Sequence, residues 1–226
     1  IGWALKNWPQ LHEAGEHLAV GTIESYLVYR LTGGRAHVSD ASNASRTALM
    51  AIGSGDWDDG LLSLFGVPRS ILPEICDSAG QLGMTDASLF GAPIAITGMA
   101  GDQQAALIGQ SCLEPGQTKA TFGTGAFVLT QTGRTLPKST NRLLATVAWQ
   151  LGGERHYALE GSVFVAGSLI QWLRDDLGLI DASPDTEPLA RSVEDNGGVY
   201  LVPALSGLGA PHWQPHARAA IHGLTF

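Results

Sequence analysis

The sequence predicts an α/β or α+β chain built as two subdomains, and three observations carry that expectation. Over the first 110 residues, helical periods accompany a short apolar strand. Beyond residue 115 the texture changes to short strands separated by turn formers. A helical period then returns, so strands pack with helices in both halves. With 226 residues, 44% of them hydrophobic, the chain can bury a core and falls between one large domain and two modest ones. The break between residues 110 and 115 sets the expected units at 1–112 and 113–226.

Leu18, Ile23, Leu27, Val28 and Leu31 recur at three- and four-residue steps, which predicts a helix over 13–31 stopped by Gly33 and Gly34. A second helix is expected over 58–65, where Asp58 and Asp59 meet the positive end of its dipole. Pro68 and Pro73 bracket a connector. Residues 93–97 read as an apolar strand that breaks into glycines at 98–101. Strands follow over 118–122, 126–131, 143–149 and 155–160. Phe164, Leu169, Ile170, Leu173 and Leu177 share one broad face, so 163–177 reads as a third helix ended by Gly178. The six tryptophans, Trp3, Trp8, Trp57, Trp149, Trp172 and Trp213, are expected to fill cores. The chain opens as if within a helix, and 221–226 reads as a strand with an apolar edge. An internal fragment of a longer protein is therefore expected.

Thirteen basic residues stand against 21 acidic ones, a net charge of −8. That balance excludes a sequence-independent nucleic-acid surface, which needs clustered Lys and Arg. Any anionic ligand must be met locally, by backbone amides or a metal. Cys76 and Cys112, 36 positions apart without metal-ligand spacing, read as buried free thiols in a reducing compartment, with a disulfide left open. No apolar run approaches the roughly 20 residues of a membrane span. The expectation is a cytoplasmic protein with no membrane or nucleic-acid partner.

The stretch "TGMAGDQQAALIGQ" (97–110) sets a lone aspartate between a strand, glycines and an alanine-rich helix. Asp102 reads locally as an N-cap. It equally suits a carboxylate at the end of a strand, where α/β proteins gather ligands and where it could accept a proton from a hydroxyl being phosphorylated. Gly123-Thr-Gly125 is a hairpin turn, or a turn whose amides and Thr124 hydroxyl face a phosphate. Gly167 and Gln171 lie one turn apart; a glycine inside a helix costs about 1 kcal/mol and implies close approach of another backbone or of a ligand. The loop 207–213 is a structured connection or the wall of a cleft. Its His212 and His216 are separated by Pro215, which disfavours a zinc pair, so no metal site is expected among the side chains.

Seven runs occur in order: "GTIESYLVYRLTGG", "HVSDASNASRTALM", "GDWDDGLL", "GMAGDQQAALIGQ", "TFGTGAFVLTQTG", "YALEGSVFVAGSLIQWLRD" and "VYLVPALSGLGAPHWQPHARAAIHGLT". Through them nearly the whole chain resembles the FGGY family of carbohydrate kinases. The resemblance implies an actin-like, ribonuclease-H-like ATPase fold, a two-domain kinase of which this chain is an internal fragment. Residues 1–112 would be the C-terminal part of the family's N-terminal domain, and 113–226 the N-terminal part of its C-terminal domain.

The implied reaction is ATP-dependent phosphorylation of a polyol, with Mg²⁺ bridging the phosphates. Gln103 beside Asp102 points to glycerol as acceptor and glycerol 3-phosphate as product. By the same resemblance Asp102 is the general base, Gln103 contacts the polyol, and Phe127 lines the glycerol carbons. Gly123, Thr124 and Gly125 form a phosphate loop, while Gly167 and Gln171 contact the nucleotide. The family's first phosphate loop and its adenine-binding residues have no counterpart here, so this fragment alone is expected to be inactive. Two other readings stay open: another polyol or pentulose kinase of the family, and a non-catalytic actin-like nucleotide- or sugar-binding module. A homo-oligomer is also left open.

Overall fold

The first half of the chain packs against a four-stranded antiparallel sheet formed by the second. The computed structural model describes residues 1–226, the side chains of His12 and Glu16 excepted. Helices α1 (Gly2–Asn7) and α2 (Pro9–Glu13) lead through a short 3₁₀ turn to α3 (Ile23–Leu31). The single helix expected over 13–31 does not form. Gly15 turns left-handed at φ 51°, and the Val20 amide donates to the Ile71 carbonyl at 2.8 Å, which holds the chain extended. Leu18 and Val20 are apolar because they pack on a core from this extended run.

Strand β1 (Val38–Asp40) runs into α4 (Ala41–Ala44). The short antiparallel pair β2 (Met50–Ala51) and β3 (Asp56–Trp57) precedes α5 (Asp59–Phe65). The Leu61 amide donates to Asp58 Oδ1 at 2.9 Å, and Gly66 closes the helix at φ 64°. The α5 boundaries thus follow from an acidic cap and a left-handed glycine. Strand β4 (Glu74–Cys76) pairs parallel with β1. An antiparallel pair, β5 (Ala79–Met84) and β6 (Ala95–Gly98), encloses α6 (Ala87–Phe90) and feeds α7 (Asp102–Gly109).

The second half begins with β7 (Thr118–Phe122), β8 (Ala126–Gly133), β9 (Leu144–Leu151) and β10 (Glu154–Val163), in the order β7-β8-β10-β9. Helices α8 (Gly167–Asp175) and α9 (Thr186–Arg191) and the pair β11 (Tyr200–Val202) and β12 (Ala220–His222) complete it. The helix expected from residue 163 starts at Gly167, because Val163 still pairs with Ala126. Gly167 is therefore a first-turn residue and not an interior glycine. The terminal strand stops at His222, where Gly223 takes φ 81°.

The halves share their cores. Val147 and Tyr157 of the sheet are buried with Ala41, Trp57 and Leu62 of the first half. Leu107 of α7 is buried with Leu129, Ala148, Trp149 and Ala158. Trp57 and Trp149 are core residues, whereas Trp3 and Trp8 are 67% and 47% exposed and pack edge to face on each other. Both cysteines are free; Cys112 is buried, but Cys76 only partly so. Burial, with Asp40, Asp77 and Glu74 adding negative charge, pushes the Cys76 thiol up to about 12, so it stays protonated and unreactive at neutral pH.

Asp40, fully buried at the end of β1, joins these layers. Its carboxylate accepts from the Ser42 and Asn43 amides at 3.0 and 3.1 Å, from Asn43 Nδ2 at 2.8 Å and from Ser78 Oγ at 2.7 Å. Replacing Asp40 by Ala leaves several buried donors without a partner and should cost about 3 kcal/mol. The purified Asp40→Ala protein should melt several degrees below wild type; an unchanged melting temperature would contradict the role given to this carboxylate.

Candidate active site

Strand β6 ends in Gly98, and three residues later α7 begins. Both sides of this break are tied down: the Met99 amide donates to the Ser78 carbonyl at 2.9 Å, and the Gly101 amide to Ser42 Oγ at 2.9 Å. Gly101, not Asp102, occupies the N-cap position. Asp102 is the first residue of α7, its carboxylate exposed, with Oδ1 accepting from the Gln103 amide at 2.8 Å and Oδ2 from Gln103 Nε2 at 3.1 Å. A carboxylate here meets the positive end of the helix dipole and keeps an open side for a ligand.

The sheet supplies the neighbouring wall. Its register pairs Lys119 with Leu129, Thr121 with Phe127, Leu129 with Glu160 and Phe127 with Ser162, so all six side chains share one face. That face carries α7. Lys119, 3% exposed, donates from Nζ to Gln103 Oε1 and to Thr121 Oγ1, the latter at 2.9 Å. Burial lowers the Lys119 pKa, while the negative charges of Glu160 and Asp102 oppose that shift. Phe127 is half-buried beside the second core. Glu160, 2% exposed, accepts from Arg46 Nη2 and Ser162 Oγ, each at 2.9 Å, on Oε1 alone; its Oε2 has no hydrogen-bond partner among the described residues.

The turn between β7 and β8 is held by α8. Gly167 donates its amide to the Gly123 carbonyl and Ala166 to the Thr124 carbonyl, both at 2.8 Å, and Ser168 Oγ adds a bond to Thr124 at 2.8 Å. A Cβ on Gly125 would lie 2.4 Å from the Val163 carbonyl, and one on Gly167 would lie 2.5 Å from that of Gly123. Only glycine fits at either position. With the carbonyls engaged, the Thr124 and Gly125 amides donate to no protein group among the described residues, an arrangement suited to an anion. Gly123, Thr124, Gly167 and Gln171 line one pocket of about 510 Å³, with Ser183 and Thr186 on its far side.

Asp102 does not line that pocket. Lys119, which reaches Gln103, lies four residues along β7 from Gly123, about 13 Å at the rise of a strand. The Asp102 corner and the glycine turn are thus two stations joined by one strand. Amides left without a protein acceptor at such a turn can meet an anion such as a phosphate. Among the described residues no group of three His, Cys, Asp or Glu side chains could hold a metal, so a divalent ion would be carried by phosphate and water, as Mg²⁺ commonly is.

A larger groove of about 670 Å³, lined by Met99, Ile108, Leu113, Trp149 and Leu151 among others, has no charged side chain. The loop 207–213 docks on the sheet: the Ala210 amide donates to the Ser162 carbonyl at 2.9 Å, and Trp213 Nε1 to that of Arg142 at 2.7 Å. Sequence reasoning missed Lys119, Arg46 and Glu160. Their one signal is alternation, since Lys119 and Thr121 fall on the same side of β7.

No helix is long and apolar enough to cross a membrane. The model of the FGGY family of carbohydrate kinases matches with its N-terminal domain over residues 1–109 and its C-terminal domain over 118–226. A glycerol kinase of Methylobacterium nodulans is 57% identical over all of this chain and 45% of its own length. The crystal structure of Plasmodium falciparum glycerol kinase with ADP superimposes with a TM-score of 0.90 at 37% identity, over all of this chain and 46% of that one. A gluconate kinase from Lactobacillus acidophilus shares the fold, with a TM-score of 0.85 at 22% identity over 99% of this chain and 45% of its own. The chain spans about half the length of the curated relatives it matches.

Two glycines separate packing from conformational freedom. Gly167→Ala must displace the Gly123 carbonyl and should cost about 1–3 kcal/mol, whereas Gly109→Ala at the end of α7 meets nothing within 4 Å and should be neutral or slightly stabilising. Thermal melts of both variants check this. Equal melting temperatures would contradict the close approach of α8 to the turn.

Proposed function

The chain belongs to the FGGY family of carbohydrate kinases, and from that premise we propose that its protein transfers the γ-phosphoryl group of ATP to the primary hydroxyl of glycerol, giving glycerol 3-phosphate. The observation that carries this reading is 57% identity, over the whole chain, with a relative named glycerol kinase. The family division supports our placing the domain boundary at 112/113. ATP as donor also agrees with the ADP that accompanies the Plasmodium enzyme in its crystal structure, and the cytoplasm is where we place an enzyme that consumes ATP.

In this reading Asp102 is the general base. Phosphoryl transfer needs in-line positioning and charge neutralisation more than covalent help, so one carboxylate that orients the hydroxyl and accepts its proton late is sufficient. Gln103 contacts the polyol beside it, and half-buried Phe127, on the face that carries Lys119, covers the glycerol carbons. The Thr124 and Gly125 amides, which meet no protein acceptor among the described residues, hold phosphate oxygens; Gly123 accepts the Gly167 amide, and Gly125 gives the turn its close fit. Gly167 and Gln171 line the nucleotide pocket. Mg²⁺, carried by the nucleotide's phosphates and water, would supply charge neutralisation. Asp102, joined through Gln103 to Lys119 near the start of β7, holds the acceptor, and the turn beyond the other end of that strand holds the donor.

The test is product identification by the full-length protein, with glycerol set against xylulose, ribulose and gluconate. Glycerol 3-phosphate should form selectively; activity only with another polyol would move the acceptor, and none with any would reject a kinase. Asp102→Asn should keep nucleotide and glycerol affinity and lower kcat by about 10²- to 10⁴-fold. Unchanged turnover in that variant would remove Asp102 from the role of base.

A further inference from the structure

We infer that Lys119 is a positioning residue for the acceptor corner: its buried ammonium fixes the side-chain amide of Gln103, and through it the carboxylate of Asp102. The inference rests on the kinase reading above and extends it to a residue that touches no reacting atom.

The supply of donors and acceptors dictates this order. An ammonium has three donors and no acceptor, a carboxylate only acceptors, and a primary amide one of each kind. Gln103 sits between the two. Lys119 Nζ bonds to Gln103 Oε1, and Gln103 Nε2 donates to Asp102 Oδ2 at 3.1 Å. With the amide flipped, its NH₂ would face the ammonium and its oxygen the carboxylate, and both contacts would turn repulsive. The order Lys119, Gln103, Asp102 is therefore the one arrangement in which every group is satisfied.

The rest of the cluster holds Lys119 in that place. Thr121 Oγ1 accepts a second proton of the ammonium at 2.9 Å. Glu160, on the same face of the sheet, supplies negative charge beside it and is itself held by Arg46 and Ser162. At 3% exposure the lysine has no route to solvent that keeps its charge hydrated, so the polar groups of the corner must satisfy it. On the other side, the Gln103 amide N–H donates to Asp102 Oδ1 at 2.8 Å. Both oxygens of the carboxylate are thus met by a single residue, Oδ1 by its backbone and Oδ2 by the side-chain amide that Lys119 fixes. Removing the lysine leaves the Asp102 carboxylate held by the Gln103 backbone N–H alone, its Oδ2 partner no longer fixed, while the glycine turn beyond the end of β7 keeps its bonds to α8.

The test is a double-mutant cycle in the full-length protein on the polyol that the wild type phosphorylates. Lys119→Met keeps the length of the stem and removes the donors. It should lower kcat/KM for the polyol by about 10- to 100-fold, the range seen when partners that orient a functional group are removed, with the Kd of a fluorescent ATP analogue within about twofold of wild type. In a Gln103→Ala background the same substitution should change kcat/KM by less than about twofold, because the lysine acts through that amide. If Lys119→Met does not fold, Lys119→Gln, which can donate or accept and so no longer dictates the amide, replaces it in the cycle with the same expectation. A rate within about threefold of wild type for the single variant, or an equal loss in both backgrounds, would overturn the inference. A wild type that phosphorylates no polyol would instead overturn the kinase reading, and the positioning role with it.

Discussion

The position of Asp102 depends on a buried carboxylate that never meets solvent. Asp40 gathers four donors at the point where β1, α4 and the segment after β4 converge. Ser42, fixed by that carboxylate, receives the Gly101 amide; Ser78, fixed by it too, offers its carbonyl to Met99 and accepts the Gln150 amide from β9 at 3.2 Å. The break between β6 and α7 is thereby pinned on both sides from one buried charge. An aspartate exposed at the start of a helix is mobile by default. This one stands on a base that the surrounding core holds in place.

The same economy of contacts joins the two halves. Arg46 follows α4 in the first half and Glu160 belongs to β10 in the second; their ion pair, 36% exposed on the arginine and 2% on the glutamate, crosses between them. A pair with one exposed partner adds little net stability, but without the arginine the buried Glu160 charge would lose its counterion. Its effect is to fix relative placement rather than to raise stability. Ser45 and Thr146, 2.9 Å apart, and Arg155 on the carbonyls of Gly53 and Ser54 repeat the pattern farther along the interface. Because α7 packs on β7, the acceptor corner and the glycine turn are built on the two ends of the same strand.

Much of this was legible in the sequence where a local rule and a tertiary need coincide. Helix α5 is announced by Asp58 and Asp59, since its cap and first turn are written in adjacent acidic residues. Strands β7 and β8 are announced by the Gly123-Thr-Gly125 turn between β-rich runs. Legibility failed where apolar residues serve distant partners. Leu18 joins the apparent helical period but packs from an extended chain, and Val163 and Phe164 suit either the end of a strand or the start of a helix. Family resemblance named Asp102, Gln103, Phe127, Thr124 and Gln171, yet Lys119 stayed hidden. A lone lysine in a strand reads as a solvent-facing residue. Its partner Gln103 lies 16 positions away and reaches it only once α7 has folded onto the sheet.

The most direct measurement is a crystal structure of the full-length protein with glycerol and a non-hydrolysable ATP analogue bound. The Asp102 carboxylate should then lie within about 2.6–3.2 Å of a primary hydroxyl, with phosphate oxygens on the amides of Thr124 and Gly125. Glycerol bound away from Asp102, or phosphates that leave the glycine turn empty, would contradict the roles assigned to both.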